Sequence, residues 1–139
     1  MYATQADMEV RFGVREVLEL TDRDNQGEIN ALVLNQALED ASAEADAYLA
    51  GRYQVPLASA PRFLVGVVCD IARYRLCGAA ANTTDDISER FRNAVDFLRL
   101  AANGKVQLGV LPTGGEVVVD NTVQMSGGGR VFGRDGASW

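Results

Sequence analysis

The chain has 139 residues, with 13 basic and 19 acidic side chains, a net charge of −6 and no histidine. That length holds one domain with a real core, and the acidic balance argues against a module that works by neutralising nucleic-acid phosphates. The missing histidine removes the commonest general base and metal ligand.

No apolar run approaches the roughly 20 residues that cross a bilayer. The opening MYATQADMEV carries acids where a secretory signal has a basic region, so a soluble chain used inside a cell, or packaged from there, is expected. The charge is uneven: residues 1–50 hold eleven acids and three arginines, whereas residues 51–110 hold five acids and eight bases. Such polarity reads either as solvated helix faces or as two complementary faces that meet head to tail between copies.

In chain order, Thr4-Gln5-Ala6-Asp7 resembles a capping box and starts a helix running to about Phe12, with Gly13 as its stop. Residues 14–20 add one or two further turns carrying Val17, Leu18 and Leu20. Both pieces are too short to stand alone and must pack on something else. Residues 21–30, TDRDNQGEIN, place Asp22, Asp24 and Gly27 at the first, third and sixth positions of a calcium loop. Gln26 and Val33 then stand at the fifth and twelfth, where the bidentate glutamate belongs, and the match fails. A polar loop is the better reading, with acids able at most to hold a cation weakly.

A long helix is expected over about 28–50, with Leu34, Leu38, Ala41, Ala45, Tyr48 and Leu49 on one stripe. Its alanines would let another helix approach closely. Residues 52–57 form an extended connector, because Val55 precedes a proline, with Tyr53 and Leu57 tucked under the next helix. That helix, over about 61–77, is the centre of the domain: Leu64, Val67, Val68, Ile71, Ala72 and Leu76 form a broad apolar face. Phe63, Val65 and Tyr74 widen the face, so neighbours are expected on more than one side, and Gly78 is expected to close the helix. A last helix, capped by Thr84 or Asp85, runs to about Ala102. It buries Ile87, Phe91, Ala94, Val95, Leu98 and Ala101 and presents Arg90, Arg92 and Arg99, before Asn103-Gly104 stops it. The fold class is therefore all-α, a small bundle of four to five helices over residues 1–104.

From Lys105 the character changes to an extended Gly/Val-rich arm, residues 105–139. It contains a possible strand over 116–123, the Gly127-Gly128-Gly129 link and the segment 130–135. A lone strand has no partner in its own chain. The arm is thus either disordered in the free monomer or adds to another subunit's or a partner's sheet, and both hold if it orders on assembly.

Candidates for chemistry are few. Cys69 and Cys77, the only cysteines, lie about 12 Å apart along one helix at ~1.5 Å per residue, too far for a disulfide, and read as small buried apolar residues. Lys105 is the sole lysine and lies in a loop, Asp85-Asp86 suit a helix start, and Gly127-Gly128-Gly129 lacks the lysine and Ser/Thr of a phosphate loop. Asp70 with Arg73 or Arg75 is expected as a structural ion pair or an intersubunit contact. No catalytic residue, cofactor or metal site is assigned, and no enzymatic activity is expected. A DNA-binding or regulatory role resting on Arg90 and Arg92 lacks a helix-turn-helix, since the stretch between Gly78 and Thr84 exceeds the usual turn.

The layout resembles the small head–tail connector (adaptor, or head-completion) proteins of tailed bacteriophages, in particular the family found in Mu-like phages and prophages. The likeness rests on Met1-Tyr2-Ala3-Thr4 with Asp7, Phe12 and Gly13, the Asp22/Asp24 loop, and the run from Asp46 to Tyr53. It continues through Pro56-Leu57, Pro61, the run from Asp70 to Leu76, and Arg130-Val131-Phe132 with Arg134-Asp135. What the resemblance implies is a structural virion protein of the head–tail neck, assembled in the bacterial host cytoplasm as a homo-oligomeric ring beneath the portal. It would contact portal and tail or neck proteins, with DNA only as cargo and no membrane. By the same resemblance the arm would be the docking element, with Val117, Val118, Val119, Arg130, Phe132 and Arg134 as contact residues. An acidic lumen would let DNA slide without sticking. The alternative kept is a small DNA-binding or regulatory helical protein of a prophage.

Overall fold

Five helices follow one another in the computed structural model, which describes residues 1–80 and 83–110, the side chains of 79 and 80 excepted. They are α1 (Gln5–Phe12), α2 (Val14–Thr21), α3 (Ala31–Leu49), α4 (Arg62–Ala80) and α5 (Asp85–Ala102). The described residues contain no strand, and Met1–Gly109 form one compact unit. The all-α bundle is as expected.

The first helix begins where its capping box dictates: Thr4 Oγ1 accepts from the Asp7 amide while the Asp7 carboxylate accepts from the Thr4 amide. Gly13 ends it at φ +90°, a conformation that disfavours any side chain, and α2 starts at once. Thr21, fully buried, closes α2 and opens the next loop. Its hydroxyl donates to the Val17 carbonyl at 2.9 Å and accepts from the Asn30 amide at 3.1 Å. Asp22 braces the loop, its two oxygens accepting from the Gln26 and Gly27 amides at 2.7 Å each.

The third helix starts at Ala31 rather than near residue 28, because Asn30 is the cap and its side chain accepts from the Leu32 and Val33 amides. Leu34, Leu38, Ala41, Ala45 and Leu49 are fully buried. Ser42 is buried beside them because its hydroxyl accepts from the Tyr2 amide at 2.9 Å. The Tyr2 phenol donates to Asp46 and accepts from the Leu57 amide at 2.8 Å, so one side chain ties the N-terminus to α3 and to the connector. Burial, then the bond to Asp46, pushes the Tyr2 phenol up to about 12.

The central helix packs most extensively against α5 and α3. Leu64, Val68, Cys69, Ile71 and Ala72 are fully buried along it, and Tyr53 of the connector is buried as well. Two expectations about this helix are corrected. It continues through Gly78 to Ala80, because a helical glycine costs only about 1 kcal/mol and the alanines after it are strong helix formers. Phe63 is 65% exposed; its main neighbour is the Phe97 ring, 4.5 Å away between centroids.

Thr84 caps α5 through the Ile87 amide. Ile87, Ala94, Val95, Leu98 and Ala101 are buried as the periodicity predicts; Phe91, expected with them, is only half-buried. At its end Gly104 adopts φ +78°, and a Cβ there would lie 2.8 Å from Cζ of Arg52. The chain then stays on the bundle for a few residues: the Lys105 amide donates to the Leu100 carbonyl at 2.9 Å, and Leu108 is buried.

Candidate functional site

Most charged side chains of α4 hold the bundle together. Arg73 donates from Nε and Nη2 to the two oxygens of Glu16 on α2, lies 3.6 Å from Asp86 on α5, and sits 4.3 Å over the Phe12 ring. Asp70 accepts from Arg90 of α5 at 3.1 Å, and Arg75 reaches Glu44 of α3. The pairing expected within the helix, Asp70 with Arg73 or Arg75, does not form; each of the three finds its partner on a neighbouring helix. Burial pushes the Asp70 carboxyl up, against the opposing pull of Arg90, Arg73 and Arg11. Tyr74 stacks on Phe91 with centroids 4.0 Å apart.

The basic face expected on α5 is reduced by these pairings. Arg90 is taken by Asp70, and Arg99 lies 3.3 Å from Asp96. With α4 running to Ala80, only four residues, 81–84, separate it from α5. The loop length that argued against a helix-turn-helix is therefore corrected. What opposes DNA binding is charge: Asp85, Asp86 and Glu89 are all exposed in the first turns of α5, the end by which a recognition helix enters the major groove between the phosphate backbones.

Neither thiol is poised for nucleophilic chemistry. Cys69 is fully buried, and burial, the largest cause, pushes its thiol up to about 11. Cys77, 1% exposed, is raised in the same way.

The feature most suited to recognition is an open groove of about 1060 Å³ between α1, α4 and α5. Its floor includes Gly66, where a Cβ would stand 3.3 Å from Arg11 Nη1, so this glycine lets the Arg11 guanidinium lie across α4. Asp70 and Arg90 close one side. Val10, 86% exposed, and Phe63 are large apolar groups standing in water at the rim, with Arg62 beside them. Periodicity could not reveal this site: Phe63 reads as core, and Val10 lies on a helix whose only buried residue is Met8. The arm residues expected to make contacts, Val117, Val118, Val119, Arg130, Phe132 and Arg134, lie outside the described residues.

Residues 2–126 match the family described as Bacteriophage Mu, Gp36. The chain is 30% identical over 135 residues to the "Mu-like prophage FluMu protein gp36" of Haemophilus influenzae, covering 97% of this chain and 94% of that protein. It is 34% identical over 111 residues to "Gene product J" of Escherichia phage Mu, covering 78% and 77% of the two chains. The chain belongs to the Mu Gp36 family.

Proposed function

We propose that this chain, as a member of the Mu Gp36 family, is a structural head–tail connector that assembles as a ring beneath the portal and joins the head to the tail. The observation that carries the reading is the family match across residues 2–126, taken with the resemblance of the whole layout to connector proteins. Two features support it. Asp70, Arg73 and Arg75 of the central helix are engaged in ion pairs between helices, and the surface exposes large apolar side chains at a groove, as a chain built to meet other proteins does. Portal and tail or neck proteins are the partners in this reading, the neck of the virion is its place, and DNA passes through as cargo.

The spacing of only four residues between α4 and α5 favours a second reading, a DNA-binding regulator. Its mark would be salt-dependent duplex binding, abolished by Arg90→Ala with Arg92→Ala. To separate the two, purified particles from an induced lysogen are analysed by quantitative mass spectrometry, and the full-length chain is used to capture its portal protein. The connector reading expects a fixed copy number per particle, in the range of a ring, and capture of the portal. Absence from particles together with no portal capture would sink it.

A further inference from the structure

We infer that the groove between α1, α4 and α5 receives the start of α3 from a second copy of this chain, in a head-to-tail contact. The inference rests on the ring reading and names the surfaces that build the ring. Three observations carry it, and the first is an exposed partner for an exposed groove. Leu32, on the first turn of α3, is 83% exposed, a large apolar side chain standing in water. Val10 and Phe63 are also exposed at the groove, and bringing such groups together removes apolar surface from water on both copies.

The second observation is charge. Among the described residues neither Arg11 nor Arg62 at the groove forms an ion pair, whereas Asp70 is paired with Arg90; Asp7, the other acid of the lining, caps α1 and leaves the arginines in excess there. Beside Leu32 lie Asp40, Arg23 and the Arg75 that Glu44 already engages. Along the chain this end of α3 is acidic: Asp24 and Glu28 in the loop before it and Glu39 two turns on are exposed as well. Leu32 seated against Phe63 and Val10 thus brings the acidic segment that opens α3 towards Arg11 and Arg62.

The third observation is placement. The groove is lined by Arg62 and Phe63 at the start of α4, and the Leu32 surface by Arg75 and Leu76 near its end. Thirteen residues of helix put them roughly 20 Å apart at ~1.5 Å per residue. Two different, complementary patches at opposite ends of one rigid helix give a heterologous contact, the kind that propagates into a ring if the rotation closes.

The test uses the full-length chain and two variants at exposed positions, Leu32→Arg and Phe63→Ser. Circular dichroism first checks that both keep the wild-type helix content and melting point. Light scattering across a concentration series up to the solubility limit then reads the mass. The wild type is expected to assemble, and each variant to associate about thirtyfold more weakly or worse, as loss of a central contact does. Mixed one to one, the variants are expected to form a dimer and nothing larger, because one copy keeps its groove and the other its Leu32.

Assembly of both variants at wild-type concentrations overturns the inference and leaves the ring reading standing with other contacts. Failure of the mixture to dimerise overturns the head-to-tail geometry. A wild type that stays monomeric throughout also overturns the inference. In that case portal capture alone decides the connector reading.

Discussion

Replacing Tyr2 by phenylalanine removes one oxygen and two hydrogen bonds, and the bundle should register both losses. The phenol donates to Asp46 and accepts from the Leu57 amide, so Tyr2→Phe leaves a half-buried amide and a carboxylate without that partner. Orphaning such groups costs about 1–3 kcal/mol. Partial access of water to the site argues for the lower half, about 1–2 kcal/mol, which in a domain of this size lowers the melting point by roughly 5–10 °C. The pH dependence sharpens the test. The phenol titrates higher in the folded chain, about 12, than its ordinary value of 10.0. Its contribution is therefore fully present below pH 10 and is lost as pH rises through 12. Urea unfolding of wild type and Tyr2→Phe, followed by circular dichroism at pH 8 and at several values up to 12, should show a constant gap that closes in the last two units. Tyr48→Phe, at a half-buried tyrosine without these bonds, should stay within about 0.5 kcal/mol of wild type. A gap at pH 8 below about 0.3 kcal/mol, or one unchanged at pH 12, would refute the reasoning.

Other perturbations follow from the same geometry. Gly104→Ala combines a positive φ with a Cβ 2.8 Å from the Arg52 guanidinium and should cost about 1–3 kcal/mol, whereas Gly51→Ala meets nothing within 4 Å and should stay within about 1 kcal/mol; thermal melts compare the two. Arg73→Met removes a side chain only 13% exposed that serves Glu16, Asp86 and Phe12. It should cost about 3 kcal/mol, with little dependence on salt, against less than about 1 kcal/mol for Arg99→Ala at an exposed pair. Cys69 and Cys77 should react with a thiol reagent only as fast as the bundle opens, so that labelling accelerates in step with unfolding when urea is added. Rapid labelling of the native chain would contradict the burial.

What was legible in the sequence is what short-range chemistry decides. Thr4 with Asp7, and Thr84 before α5, announce their helices because a cap is a contact between residues three apart. The stripe through Leu34, Leu38, Ala41 and Ala45 is a periodicity carried by one segment alone. The misses share a different cause. Gly78 signals a stop by composition, yet α4 continues past it. The hydrogen-bond partners of Asp70, Arg73 and Arg75 are 20 to 57 residues away, beyond any local pattern. Ser42 looks like a surface position and is buried because Tyr2, 40 residues earlier, binds it. The groove was illegible for a related reason: Phe63 counts as core in any hydropathy scheme, and only the arrangement of three helices leaves it in water.

The Tyr2 anchor also bears on how the chain is made. Its three partners, Ser42, Asp46 and Leu57, are all synthesised well after it. At about 5–20 residues per second, the interval between adding residue 2 and residue 57 is roughly 3–11 s. Until those partners are made Tyr2 lacks these bonds, and the isolated eight-residue α1 is too short to hold its helix in water. The segment around Tyr2 therefore waits on α3 and the connector, and the bundle seals backwards, residues made before its core among the last to lock.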